Sequence, residues 1–88
     1  MTKKAKMPSV RRYIAVFSKE DETMVGEIAL LKDNLPLLQK VFGEAADNPM
    51  YDCYGVTVVE EEALRQAGIL DKKLNYELYD YWLEASRL

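Results

Sequence analysis

The sequence contains no histidine, a single cysteine, and only four glycines, which lie far apart. Without histidine the chain lacks the commonest general base and metal ligand, and it cannot form a Ser-His or Cys-His nucleophile pair. The scattered glycines exclude a glycine-rich phosphate-binding loop. No apolar run approaches the roughly 20 residues of a membrane-spanning helix. We therefore expect no catalysis, no cofactor, no small-molecule substrate and no membrane insertion.

Metal binding is also not expected, although acidic residues are plentiful. Asp47, Asp52 and the run Glu60–Glu62 supply carboxylates, but their spacing does not match a calcium-binding EF-hand loop. A small hydrolase built on clustered carboxylates would need an apolar pocket that separates their pKa values. Nothing in the spacing indicates such a pocket, so we predict no metal site and no catalytic pair.

The lone cysteine, Cys53, cannot form an internal disulfide, which is typical of a protein from a reducing compartment. The N-terminus is basic but lacks the apolar segment of a secretory signal. These features predict a cytoplasmic protein. The neighbouring Asp52 would raise the pKa of the thiol rather than activate it. We therefore predict that Cys53 is a buried or half-buried structural residue.

Length and composition predict one small folded domain. The chain has 88 residues, of which 49% are hydrophobic and 31% are charged, an ordinary globular composition. We expect residues 1–9 to be a basic flexible tail and residues 10–88 to be a single domain. With no aromatic residue among positions 1–10, the tail is a poor candidate for binding nucleic acid, and a solubilising role is favoured.

Charge is distributed unevenly along the chain. The first 12 residues carry +5 and the remainder carries −8. The segment from Gly43 to Leu64, here called the acidic segment, contains six acids and no lysine or arginine. It also contains Met50, Tyr51 and Tyr54, so it combines apolar and aromatic side chains with negative charge. This combination favours docking on a basic protein, because opposite charges accelerate and orient association; the alternative is a solvated acidic surface that maintains solubility.

The first half of the sequence predicts a hairpin followed by a helix. Residues 10–17 and 24–31 are short and rich in β-branched and apolar side chains, and the polar loop 18–23 between them is too short for a parallel crossover. Gly26 is a candidate bulge site. Asn34 can cap a helix over residues 35–42 that ends at Gly43.

The second half predicts a loop over residues 44–55, a second helix and a final strand. Thr57 and Glu60 form a Thr-x-x-Glu capping box ahead of a helix that stops at Gly68. Its predicted apolar face uses Val58 or Val59, Ala63, Leu64 and Ala67.

The spacing in residues 74–88 fits either a helix or a strand, and the aromatic density favours the strand. In a strand, Tyr79, Tyr81, Leu83 and Ala85 share one face, with Asp80, Trp82 and Glu84 opposite. The predicted fold class is α+β: a small antiparallel sheet, made of the N-terminal hairpin and a C-terminal strand, packed by two helices.

Several stretches together resemble a family of small, uncharacterised bacterial domains, some of which accompany polymorphic toxins as immunity proteins. The matching stretches are Arg12-Tyr13, Val25-Gly26-Glu27-Ile28, Phe42-Gly43, Asp47 through Tyr54 with Val56-Thr57, and Tyr79 through Glu84. The most specific is Pro-Met-Tyr-Asp-x-Tyr, residues 49–54. The chain is also similar to immunity proteins of contact-dependent growth inhibition systems. The resemblance transfers no site residues.

The resemblance implies a protein that binds and neutralises a cognate toxin domain, such as a basic nuclease that cleaves tRNA or other RNA. The alternative is a non-catalytic adaptor or regulatory module for another partner. We expect Tyr13, Tyr79, Tyr81 and Trp82 to be mostly core aromatics, because a small sheet needs large side chains inside. Exposed aromatic and acidic side chains should contact the partner. The predicted toxin-binding residues are Asp47, Tyr51, Asp52, Tyr54, Glu60, Glu61 and Glu62.

Overall fold

A four-stranded antiparallel sheet and two helices form the α+β fold in the computed structural model, which describes residues 10–88. In chain order the elements are β1 (Val10–Ser18), β2 (Met24–Ala29), α1 (Leu35–Phe42), β3 (Tyr54–Val56), α2 (Val58–Gln66) and β4 (Tyr79–Arg87). The strand order is β2-β1-β4-β3. The predicted fold class is confirmed. The predicted tail, residues 1–9, lies outside the described residues.

The N-terminal hairpin forms as predicted, with its irregularity beside the expected glycine. Val16 pairs with Gly26 and Phe17 pairs with Met24, so Val25 is an extra residue on β2. Such a bulge sharpens the local twist of the strand. The loop closes through a 2.9 Å hydrogen bond from the Ser18 amide to the carbonyl of Thr23.

Both helices begin where the sequence signals predicted. The Asn34 side chain accepts a hydrogen bond from the amide of Leu37 at 3.2 Å, and Gly43 closes α1 with a φ of 68°, a conformation that favours glycine. Thr57 and Glu60 form the reciprocal capping box of α2. These caps depend only on residues within one turn, which is why the sequence reveals them.

The core lies between the helices and one face of the sheet. Its buried side chains come from every layer: Ile14, Val56, Tyr81 and Leu83 of the sheet, Leu38 and Leu64 of the helices, and Met50, Ile69, Leu70 and Leu74 of the connections. Ile69, Leu70 and Leu74, in the segment after α2, are core residues. The sequence pattern had predicted that Val58 or Val59, at the start of α2, faces the core. Val58 and Val59 are instead 62% and 72% exposed, so that part of the predicted helical face was wrong.

The C-terminal segment is a strand, as predicted, and it lies in the middle of the sheet. β4 pairs with β1 along nine residue pairs and with β3 on its other side. β3 was missed, because residues 44–55 were predicted to be a loop. Its three residues, Tyr54-Gly55-Val56, are too few to show a strand period, and only pairing with β4 orders them.

Candidate functional site

The two faces of the sheet have different surroundings. All sheet residues of the buried core cluster lie on the helix-covered face. Because side chains alternate along each strand, the strand register assigns the others to the opposite face, here called the open face. It carries Arg11, Tyr13, Ala15, Phe17, Met24, Glu27, Ala29, Gly55, Asp80, Trp82, Glu84 and Ser86. No helix among residues 10–88 packs on this face.

A groove of about 680 Å³ crosses the open face beside Trp82. It is lined by Phe17, Lys19, Glu22, Cys53, Asp80, Trp82 and Glu84. Trp82 is 41% exposed and is the exception among the four aromatics expected to be mostly core residues, since Tyr13 and Tyr81 are buried and Tyr79 is half-buried. An exposed tryptophan in a concave surface is a frequent anchor of protein–protein binding. We call this feature the Trp82 groove.

Gly55 on β3 lies next to the Trp82 ring of the neighbouring strand. A Cβ at Gly55 would stand 3.7 Å from the nearest ring carbon, so the indole lies across the glycine backbone of the neighbouring strand. The apolar surface continues past the ring, since Trp82 also lines a second depression together with Gly55 and Val58. Exposed apolar surface therefore runs from Phe17 across Trp82 to the first residue of α2.

The Trp82 groove is acidic. Three of its lining residues are acids, Glu22, Asp80 and Glu84, and the single base is Lys19. The Lys19 Nζ lies 3.7 Å from Asp80 Oδ1, and both side chains are largely solvated, so this ion pair is weak. Glu84 accepts a 3.2 Å hydrogen bond from the hydroxyl of Tyr13. Within residues 10–88, neither Glu22 nor Glu84 forms an ion pair.

Cys53 lies at the edge of the Trp82 groove and is exposed, so the prediction of a buried structural cysteine was wrong. The predicted direction of its pKa shift agrees with the structure. Partial desolvation, the charge of Glu84 and a hydrogen bond to Glu84 raise the pKa of the Cys53 thiol, and Asp52 contributes last. A thiol with a raised pKa is a poor nucleophile at neutral pH.

Arg11 and Tyr13 show that the open face already holds one cation on an aromatic ring. The Arg11 guanidinium carbon lies 4.4 Å from the centroid of the Tyr13 ring. The same guanidinium donates a 2.7 Å hydrogen bond to Glu27 on β2. An aromatic ring and a carboxylate thus bind one guanidinium together on this face.

Some of the contact residues predicted in the acidic segment are exposed, and others are not. Asp47, Tyr51 and Asp52 are exposed. Tyr54 is not free as expected: it is half-buried, its ring centroid lies 5.6 Å from that of Phe42, and its hydroxyl accepts a 3.3 Å hydrogen bond from Asn48. Tyr54 therefore belongs to the helix-covered side of the sheet rather than to an exposed loop.

The three consecutive glutamates at the start of α2 have three different environments. Glu60 completes the capping box, and the hydrogen bond from the Thr57 hydroxyl is the main cause of its lowered pKa. Glu62 is exposed. Glu61 is only 8% exposed, so a partner has little access to its side chain. Of the three predicted contact residues in this run, Glu61 is therefore the least accessible.

Glu61 is a structural acceptor that connects α2 to the segment before β4. Its carboxylate accepts hydrogen bonds from the amide of Leu74 at 3.1 Å and from the hydroxyl of Tyr76 at 3.0 Å, and it forms an ion pair with Arg65. Burial and the adjacent carboxylate strongly raise the pKa of Tyr76. These contacts indicate that Glu61 contributes to stability rather than to recognition.

The remaining features of the described residues add no further candidate. Among residues 10–88, no group of three or more His, Cys, Asp or Glu side chains is placed so that it could hold a metal ion. No helix in the same range is long and apolar enough to cross a membrane.

The sequence did contain a signal for the Trp82 groove. The alternation in β4 placed Asp80, Trp82 and Glu84 on one side of the strand. It did not tell which side the helices cover, so these residues were not included among the predicted contacts.

Residues 11–84 match the sequence profile of a family described as a domain of unknown function (DUF7683). Comparison with curated proteins and with solved structures finds no significant match.

Proposed function

We propose that this chain, which belongs to the DUF7683 family, is a cytoplasmic, non-catalytic immunity protein that binds and neutralises a cognate bacterial toxin domain. The proposed toxin is a basic nuclease that cleaves tRNA or other RNA, in a contact-dependent growth inhibition or similar polymorphic toxin system. The observation that supports binding best is the exposed Trp82 in an acidic groove on the open face of the sheet.

Physical features of the open face favour a protein partner. An accessible tryptophan can be desolvated completely when a partner covers it, and such residues commonly dominate binding free energy. The acids around it complement a basic surface and would accelerate association. A nuclease domain is basic where it holds phosphates, so an acidic groove with an aromatic anchor matches its charge.

Part of the acidic segment extends the proposed contact surface. Asp52 precedes Cys53, which lines the Trp82 groove, and Tyr51 and Asp47 are exposed in the same segment. On the other side of the ring, Val58 lines one depression with Trp82 and another with Glu62. We assign steering and peripheral contacts to Asp47, Tyr51, Asp52 and Glu62, and structural roles to Tyr54, Glu60 and Glu61.

The experiment begins with the C-terminal domain encoded by the open reading frame immediately upstream of this gene. Induced in a bacterial host, it should arrest growth alone, and growth should recover with this chain. The two proteins should co-purify in a fixed ratio. Trp82→Ala should weaken binding by at least about tenfold, corresponding to roughly 1.4 kcal/mol. Val59→Ala is the matched control, because Val59 is also exposed but lines neither depression beside Trp82, and it should bind like the wild type.

Two results would contradict parts of the proposal. Binding and rescue that are identical for the wild type and Trp82→Ala would place the interface elsewhere. An upstream domain that is harmless, or toxic but neither bound nor neutralised, would remove the immunity function and favour an adaptor for another protein.

A further inference from the structure

We propose that the Trp82 groove is a binding site for one arginine side chain, whose guanidinium stacks on the Trp82 ring and pairs with Glu84. The inference rests on the proposed function only for the source of that arginine, which is the toxin domain. It deepens that function by naming the chemical group that the groove recognises.

The lining of the groove combines the two elements that bind a guanidinium. Trp82 provides an accessible aromatic face, the best ring type for a cation–π contact. Glu84 lies two residues further along the same face of β4 and forms no ion pair with any residue from 10 to 88. A planar guanidinium can stack flat on a ring and donate sideways to a carboxylate at the same time, whereas an ammonium group has no flat face to stack.

The neighbouring Arg11 site supports the geometry. There the protein itself places a guanidinium 4.4 Å from the centroid of Tyr13 and hydrogen-bonds it to Glu27 at 2.7 Å. Tyr13 and Trp82 are both open-face residues on adjacent strands, β1 and β4. Trp82 with Glu84 repeats the pairing of ring and carboxylate, but within residues 10–88 Arg11 is the one cation found over an aromatic ring.

The net negative charge of the groove also favours the binding of a cation. Glu22, Asp80 and Glu84 outnumber Lys19, so the lining carries two uncompensated negative charges at neutral pH. Within residues 10–88, the one ion pair of the Lys19 ammonium group is the solvated 3.7 Å pair with Asp80, so this group can be displaced at little cost. A bound arginine would reduce the repulsion among these carboxylates, so the groove and the ligand are complementary in charge.

The test uses the fluorescence and the indole N–H resonance of Trp82, which is the only tryptophan in the sequence. The full chain is titrated with acetyl-Gly-Arg-Gly-amide and with the citrulline peptide, which keeps the planar shape but removes the charge. The arginine peptide should bind saturably and at least about tenfold more tightly than the citrulline peptide. A lysine peptide should bind several-fold more weakly than arginine.

Two matched variants locate the site. Glu84→Gln keeps an acceptor for the Tyr13 hydroxyl but removes the charge, and it should weaken arginine binding by at least about fivefold. Asp71→Asn removes one charge from an exposed residue that lines neither depression beside Trp82 and should change binding by less than about twofold. Raising sodium chloride from about 50 mM to about 500 mM should weaken the wild-type affinity, because the interaction is ionic.

The same titration is repeated on Lys3→Gln/Lys4→Gln/Lys6→Gln, which removes the lysines of the basic N-terminal segment as competing cations. Absence of saturable binding in both proteins, or equal affinity for arginine and citrulline, would overturn the arginine site. If this happens while toxin binding still depends on Trp82, only the arginine site fails. If the peptide binds as expected but no toxin is neutralised, the site stands and the proposed function fails.

Discussion

The guanidinium of Arg12 donates a 2.6 Å hydrogen bond to the carbonyl oxygen of Pro49, a residue 37 positions later in the chain. A second nitrogen of the same group bonds to Asp33 at 3.1 Å. The Arg12 side chain is almost completely buried, and its bond to Pro49 is partly shielded from water, whereas the Asp33 carboxylate is about one-third exposed. Arg12 thereby fixes part of the acidic segment, and the turn before α1, to the central strand β1.

We predict that Arg12→Met lowers the free energy of unfolding by about 2–3 kcal/mol, because hydrogen bonds to a charged group are lost and the Pro49 carbonyl is left without its partner. Urea denaturation measures the change. Arg11→Met is the control on the adjacent residue. Its ion pair with Glu27 is solvated, so the expected loss is below about 1 kcal/mol. Equal effects of the two substitutions would show that the Pro49 contact contributes little.

Glu61 and Glu62 are adjacent in sequence, but the same substitution should destabilise the protein at Glu61 and have little effect at Glu62. Glu61→Gln should lower the free energy of unfolding by about 2 kcal/mol, since a carboxylate that accepts three hydrogen bonds becomes an amide with one acceptor oxygen. Glu62→Gln should change it by less than about 0.5 kcal/mol. Thermal and urea unfolding of both variants give the comparison. A destabilised Glu62→Gln with an unaffected Glu61→Gln would contradict the structural role of Glu61.

The capping box of α2 should make stability depend on pH through Glu60. Its pKa is lowered in the folded protein, mainly by the hydrogen bond from the Thr57 hydroxyl. This contribution is therefore present above the ordinary glutamate pKa and is lost as the pH falls through the lowered value. Thr57→Ala should cost about 1 kcal/mol at neutral pH. The difference from the wild type should shrink in acid, as followed by urea denaturation at several pH values; a difference that is constant with pH would exclude the contribution of Glu60.

The Cys53 thiol should react slowly at neutral pH although it is exposed. The rate of alkylation by iodoacetamide follows the thiolate fraction, and burial together with Glu84 raises the pKa of Cys53. The midpoint of the rate against pH should therefore lie above that of an unstructured peptide containing residues 51–55. Glu84→Gln should move the midpoint down towards the peptide value. A midpoint at or below that of the peptide would contradict the described environment of the thiol.

Local signals in the sequence predicted most of the secondary structure but little of the exposure. Asn34, Gly43 and the Thr57–Glu60 pair gave the helix ends, because capping involves only neighbouring residues. The spacing from Tyr79 to Ala85 allowed a helix or a strand, and the density of aromatic residues favoured the strand. Exposure depends on contacts between distant segments, so Cys53 and Tyr54 were each assigned to the wrong environment, and the exposed Trp82 was not distinguished from the buried aromatics.

The predicted binding residues Glu60, Glu61 and Glu62 have different environments in the fold for the same reason. Charge alone grouped Glu60, Glu61 and Glu62, but successive residues of a helix point in directions about 100° apart. One therefore caps the helix, one is buried against Tyr76 and Leu74, and one remains exposed. No property of the glutamate run itself distinguishes these three environments.

Several properties can be read from the sequence: the α+β class, the helix caps, the placement of Asp80, Trp82 and Glu84 on one side of a strand, and the separation of a basic beginning from an acidic remainder. These follow from periodicity, local hydrogen bonding and composition. The tertiary structure alone decided that β3 adds to the sheet beside β4, and that both helices cover the face of Tyr81 and Leu83. Since a strand has two faces and its sequence period is the same for both, only the packing of the helices could leave Trp82 exposed.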